Sequence, residues 1–145
     1  MKTDQASNLE IADELHSAAI HLLRVLRKQD AEAGLSAPKL SVLSVLAFGG
    51  TATLKTLAAV EQVSRPTMTK LIQELEADDM VKRQTNPDDR RNQLISITAK
   101  GKSVFGTARR KRLDALARQV ADLSKSDRQA VVKAIAPLRK LSGRS

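Results

Sequence analysis

Residues 53–101, TLKTLAAVEQVSRPTMTKLIQELEADDMVKRQTNPDDRRNQLISITAKG, constrain the fold more than any other stretch of the chain. Ser64 suits a helix N-cap, because its hydroxyl can accept a hydrogen bond from an orphan amide of the first turn. Pro66 falls in that first turn, where its missing N–H costs nothing. Met68, Leu71, Ile72 and Leu75 recur at helical spacing and form one apolar face. The other face carries Arg65, Pro66, Thr69, Lys70 and Gln73. Hydroxyl, amide and cationic groups are those that meet phosphates and base edges, whereas an unpartnered surface helix more often shows Glu/Lys pairs. Upstream, Leu54, Leu57, Ala58 and Val63 make a shorter apolar pattern, with Thr53 as its expected cap. Ala58 is small where one helix must pack closely on the next, and Val63 fits the turn between them.

Downstream, Met80 to Thr85 and Leu94 to Thr98 alternate partly between apolar and polar, around the turn-forming cluster Asn86-Pro87-Asp88-Asp89-Arg90-Arg91-Asn92. That pattern predicts a β-hairpin with a long charged tip. Two short helices joined by a tight turn, followed by a hairpin, read as a helix-turn-helix with a wing. The block resembles the MarR family of bacterial winged-helix transcriptional regulators. Its wing signature, Asp-x-Arg, an alternating strand and then Thr-x-x-Gly, is matched by Asp89, Arg91, Ile95, Ile97, Thr98 and Gly101. VSRPTMTKLIQELE is similar to the family's recognition helix almost throughout. Gln62 departs from the pattern, since many such turns place Gly there. The specific match covers about a third of the chain.

The fold expected is therefore mainly α with a small β wing: a winged helix-turn-helix lobe over about 36–98, flanked by dimerisation helices over about 8–30 and 99–140, all in one domain 1–145. Ser7 and Glu10 form a capping-box pattern, and Ala12, Leu15, Ala19, Leu22 and Leu26 step by three and four along a first helix. Gly34 ends it; Ser36 caps a second helix with Pro38 in its first turn, and Gly49-Gly50 stops that one. Thr51 and Ala52 are placed to add a brief third strand. Thr98 caps a long helix to about residue 123, with Gly101 allowing close approach near its start. Ser126 and Gln129 are expected to cap the last helix, and Pro137 to kink or end it.

A chain of 145 residues suits one core, and it lacks both an apolar run of about 18 residues for a membrane span and an apolar signal-peptide core. A cytoplasmic location is the expectation. With no cysteine there is no disulfide, thiolate metal site or cysteine redox switch, which removes the cysteine-sensing mode of some MarR relatives. The net charge of +9 suits a nucleic-acid partner, yet it is −1 over residues 1–50, +1 over 51–100 and +9 over 101–145. Charge is thus weak support beside the motif. No glycine-rich phosphate loop or metal-protease motif supports an enzyme, and neither a metal nor a cofactor is expected. Asp78-Asp79 and Asp88-Asp89 sit at a helix end and a turn tip, where acids are usually solvated.

The resemblance implies a homodimer that holds two recognition helices about one DNA turn apart, roughly 34 Å, over a pseudo-palindromic operator, most simply as a repressor. Double-stranded DNA is then the partner of Arg65, Pro66, Thr67, Thr69, Lys70 and Ser64 at the recognition helix, and of Thr53, Lys55 and, more weakly, Lys39 along the backbone. Asp89 would orient the guanidinium of Arg91 for the minor groove, with Arg90 and Lys82 at phosphates. Against this stands a plain solvated helix end and hairpin tip. Arg109-Arg110-Lys111-Arg112 point all round a helix and read better as a solvated face than as one contact surface.

The resemblance also implies a small lipophilic or aromatic acid as ligand, with His16, Ile20, Leu43, Phe48 and Phe105 as pocket candidates; core and interface roles are the alternative. His16 and His21, five apart, diverge on a helix and make a poor metal pair. Other functions left open are a regulator without a ligand, an activator, and a winged-helix protein-interaction module that never touches DNA.

Overall fold

The computed structural model describes residues 6–143, which divide into two units, 6–112 and 113–143. The first unit opens with α1 (Asn8–Ala33) and α2 (Ala37–Gly49). Then come β1 (Ala52–Thr53), α3 (Leu54–Glu61), α4 (Arg65–Ala77), β2 (Val81–Thr85) and β3 (Gln93–Ile97). A long helix, α5 (Ala99–Ala121), begins in the first unit and ends in the second, where α6 (Lys125–Leu141) follows.

Local chemistry explains most boundaries. Ser7 accepts from Glu10 N at 3.2 Å while the Glu10 carboxylate accepts from Ser7 N at 2.7 Å, a complete capping box. Ser36, Thr53 and Ser64 cap α2, α3 and α4 by the side-chain half of that arrangement, accepting from the amides of Lys39, Thr56 and Thr67. Gly34 and Gly50 end α1 and α2 at φ 70° and 81°, angles that only glycine adopts without strain. Thr98 Oγ1 accepts from Gly101 N at 3.0 Å at the start of α5, as its position predicts.

Three boundaries differ from expectation. The brief strand is Ala52–Thr53, one residue later than Thr51-Ala52, because Ala52 and Thr53 pair with Ile95 and Leu94. The cap of α6 is Ser124, accepting from Asp127 N at 3.0 Å, and Ser126 lies inside the first turn. The earlier cap adds helix and places Asp127 at the positive N-terminus. Pro137 does not end α6, which runs on to Leu141. The carbonyl it leaves without a donor is that of Lys133, on an exposed helix where water can serve instead.

The sheet order is β1-β3-β2, antiparallel throughout, with Val81 opposite Ile97 and Thr85 opposite Gln93. The core of the first unit gathers Leu40, Val42, Leu43 and Leu46 of α2, Leu57 and Ala58 of α3, and Met68, Ile72 and Leu75 of α4. Val81, Ile95, Phe105 and Ala108 complete it from the strands and α5. Leu43, Leu57, Met68, Ile72 and Leu75 are fully buried, so the apolar face foreseen for α4 is the one that anchors it. No single helix among the described residues is long and apolar enough to cross a membrane.

Candidate nucleic-acid interface

With one face of α4 locked in the core, its first turn faces solvent. Arg65, Pro66, Thr67 and Lys70 are exposed there, and Thr69 is half-buried beside them. The Ser64 hydroxyl accepts from Thr67 N at 3.2 Å and pairs with the Thr67 hydroxyl at 2.8 Å, so both groups are held at the helix N-terminus. Thr53 and Thr56 repeat the arrangement at the start of α3, at 3.1 and 2.9 Å, with Lys55 exposed between them. An N-terminus with free amides and a positive dipole end attracts anionic oxygens.

The turn that sets α4 against α3 runs through Gln62, which adopts a left-handed conformation at φ 54°, ψ 42°. Gln62 thus takes the left-handed conformation that glycine usually supplies at such a turn, with a side chain where glycine has none.

The wing is tied to α4 at its root. Thr98 Oγ1 donates to Asp79 O at 2.6 Å, and Arg83 reaches Glu76 at 3.3 Å and Gln93 at 3.2 Å. At the tip, Asn86 Oδ1 accepts from Asp88 N at 3.0 Å. Asp89 Oδ1 accepts from Arg91 N at 3.0 Å and Oδ2 from Asn92 Nδ2 at 3.2 Å. Asp89 thus shapes the tip through the main chain of Arg91, where its guanidinium was the expected partner. Arg90 and Arg91 are exposed, as is Lys82 on β2. Lys39 is half-buried and paired with Glu74 of α4 at 3.0 Å, so it braces α2 against α4.

A groove of about 470 Å³ lies within the first unit, behind α4. Leu23 and Arg27 of α1, Leu40, Ser41, Ser44 and Phe48 of α2, Glu61 and Val63 of the helix-turn-helix, Leu71 of α4, and Phe105, Arg109 and Arg112 of α5 line it. The Phe48 and Phe105 rings meet edge to face, with centroids 5.8 Å apart, and the Arg109 guanidinium lies 5.7 Å from the Phe48 centroid. Of the pocket candidates read from the sequence, Phe48 and Phe105 line this groove. Leu43 is instead a fully buried core residue, and His16 and Ile20 lie exposed on α1 before Leu23. His21 Nδ1 is 2.8 Å from Ser17 O, and no cluster of three or more His, Asp or Glu suited to a metal occurs among the described residues.

Sequence reasoning passed over Arg27 and read Arg109 and Arg112 as part of a solvated face. Arg27, Arg109 and Arg112 all line the groove. Arg112 donates from Nε to Asp30 Oδ1 at 2.7 Å and from Nη2 to Oδ2 at 2.6 Å. The two residues stand 82 positions apart, and no periodicity links them.

A helix-turn-helix with an exposed recognition-type α4, followed by a hairpin in a three-stranded antiparallel sheet, defines a winged helix-turn-helix protein. The MarR family model matches residues 35–92, which span α2 to the wing. An HTH-type transcriptional regulator of Mycobacterium tuberculosis is 35% identical over 122 residues, 84% of this chain and 85% of that one. The crystal structure of RV1404, also from M. tuberculosis, superposes with a TM-score of 0.81 at 23% identity, covering 99% of this chain and 100% of that one. A cysteine-to-serine variant of Escherichia coli MarR complexed with operator DNA superposes with a TM-score of 0.67 at 20% identity, covering 90% and 92%. The chain belongs to the MarR family of transcriptional regulators.

Proposed function

We propose that this protein binds double-stranded DNA as a homodimer, recognises a pseudo-palindromic operator and represses transcription there until a small acidic ligand releases it. The observation that carries this reading is the first turn of α4. Arg65, Thr67 and Lys70 stand exposed on a helix whose opposite face is fully buried, beside a wing that presents Arg90 and Arg91. The E. coli MarR variant bound to operator DNA has the same fold. α4 would enter the major groove, Thr53 and Lys55 would meet the backbone, and Arg91 would reach the minor groove.

Support for the homodimer comes from apolar side chains exposed in each unit: Leu9, Ile11, Leu15, Ile20 and Leu22 on α1, and Val131, Val132, Ile135, Leu138 and Leu141 on α6. Patches of this kind mark an interface. Support for the ligand comes from the groove, where aromatic walls and guanidinium groups suit an anion with an apolar body. A ligand shifts DNA occupancy only by its difference in affinity between the two states.

The test is anisotropy of a labelled duplex from the gene's upstream region, or from a genome-wide selection of bound fragments, titrated at several salt concentrations. Binding well above a scrambled duplex, weakening with salt, is expected. Arg91→Ala and Lys70→Ala should each remove about 1–3 kcal/mol. Equal binding to every duplex, together with an empty selection, would leave a protein-interaction module as the function.

A further inference from the structure

We propose that Asp30 is an internal competitor for the groove's ligand: an anionic small molecule with an apolar body binds there by taking Arg112 away from the Asp30 carboxylate. The proposal rests on the ligand-responsive reading above and adds to it a specific exchange of partners.

Asp30 is the one charged residue that is buried among those described, at 4% exposure. Both of its oxygens are satisfied by Arg112, in a fork-to-fork geometry that any other carboxylate can reproduce. Arg112 is not sealed in with it. Its side chain is 25% exposed and lines the groove. Arg109, one turn earlier on α5, lies over Phe48, and Arg27, one turn before Asp30 on α1, lines the same space. The only carboxylate among the lining residues is Glu61, which accepts from Ser41 Oγ at 2.5 Å. Three guanidinium groups therefore face one acid.

The rest of the wall selects the body of the ligand. Leu23, Leu40, Phe48 and Phe105 are apolar, and about 470 Å³ is within the range of small-molecule sites. Val63 and Leu71 put the occupant against the turn after α3 and against α4 itself. The exchange gives the site its coupling. An incoming carboxylate gains a bidentate partner, and Asp30 loses its own while still shielded from water, so α1 and α5 are no longer pinned together at that point. The intact pair lowers apparent ligand affinity, as any competing state does.

Binding of 1-naphthoate, followed by its own fluorescence, tests this directly, because the chain has no Trp or Tyr to interfere. Neutral 1-naphthamide is the control. Asp30→Asn should tighten 1-naphthoate by about tenfold and change 1-naphthamide by no more than about twofold. Arg112→Gln should weaken 1-naphthoate by more than about tenfold. The double variant Asp30→Asn/Arg112→Gln, which leaves no buried charge unpaired, should show the same weakening if the single variant does not fold. Opposite signs for the two positions are the signature, since a merely structural brace would move both probes together. If Asp30→Asn weakens 1-naphthoate or shifts both probes equally, the competitor role is wrong while a ligand site stands. If folded wild type and Asp30→Asn bind neither probe at millimolar concentration, the ligand reading fails with it.

Discussion

Gln62 and Gly101 make opposite demands on the backbone. Gln62 sits in the left-handed region at φ 54°, at the turn that aims α4. A side chain there costs roughly 1–2 kcal/mol, which glycine would recover less its own unfolded-state entropy of about 0.5–1 kcal/mol. Gln62→Gly should therefore raise stability by up to about 1 kcal/mol, read as a higher urea midpoint with an unchanged slope. Gly101 is the opposite case. A Cβ there would collide with the Met80 carbonyl and approach Ile97 Cγ1 to 2.8 Å. Gly101→Ala should lower stability by about 1–3 kcal/mol in thermal unfolding, because the obstacle is backbone and cannot swing aside. The close approach at Gly101 was legible in the sequence; the carbonyl that enforces it was not.

Among the elements, the caps are where sequence and structure agree best, since a cap and its target amide lie three residues apart. Ser64→Ala should cost about 1 kcal/mol in urea unfolding, through the lost bond to Thr67 N. At α1, hydrogen bonds from the backbone and hydroxyl of Ser7 hold the Glu10 carboxyl below the usual carboxylate range. A carboxyl depressed in the folded state supports the helix at neutral pH and loses that support as pH falls through its folded value. Amide exchange in the first turn of α1 should accelerate as the solution becomes acidic, and Glu10→Gln should flatten that dependence. α6 marks the limit of local rules: Ser124 and Ser126 are both competent caps, and the choice fell to the one that adds a turn and seats Asp127 at the dipole.

At the scale of the whole molecule, exposed apolar faces and uneven charge matter most. Ile135 and Leu138 of α6 are 43% and 42% exposed. If the proposed homodimer forms through these faces, Ile135→Glu combined with Leu138→Glu should leave the first unit folded, give a monomer in light scattering and abolish tight operator binding. A wild-type monomer at micromolar concentration would remove the dimeric reading. The basic excess falls in residues 101–145 and α4 itself carries only Arg65 and Lys70 as cations, so the salt dependence of DNA binding should follow individual contacts. Loss of the backbone contact proposed for Lys55, as in Lys55→Ala, should reduce the slope by about one.

The helix-turn-helix, the wing hairpin and every cap from Ser7 to Ser64 followed from the sequence, because caps find their amides three residues on and the two helices and the two hairpin strands are each joined by a short turn-forming segment. Even the polar face of α4 did, since periodicity reveals which side is buried. Tertiary structure alone decided the rest. Lys39 found Glu74 and Arg112 found Asp30, pairings 35 and 82 residues apart that no local pattern encodes. Leu43 and Phe48, on one short helix, went respectively to the core and to the groove. A helical repeat states that a face will be covered; which neighbour covers it depends on how separate elements pack.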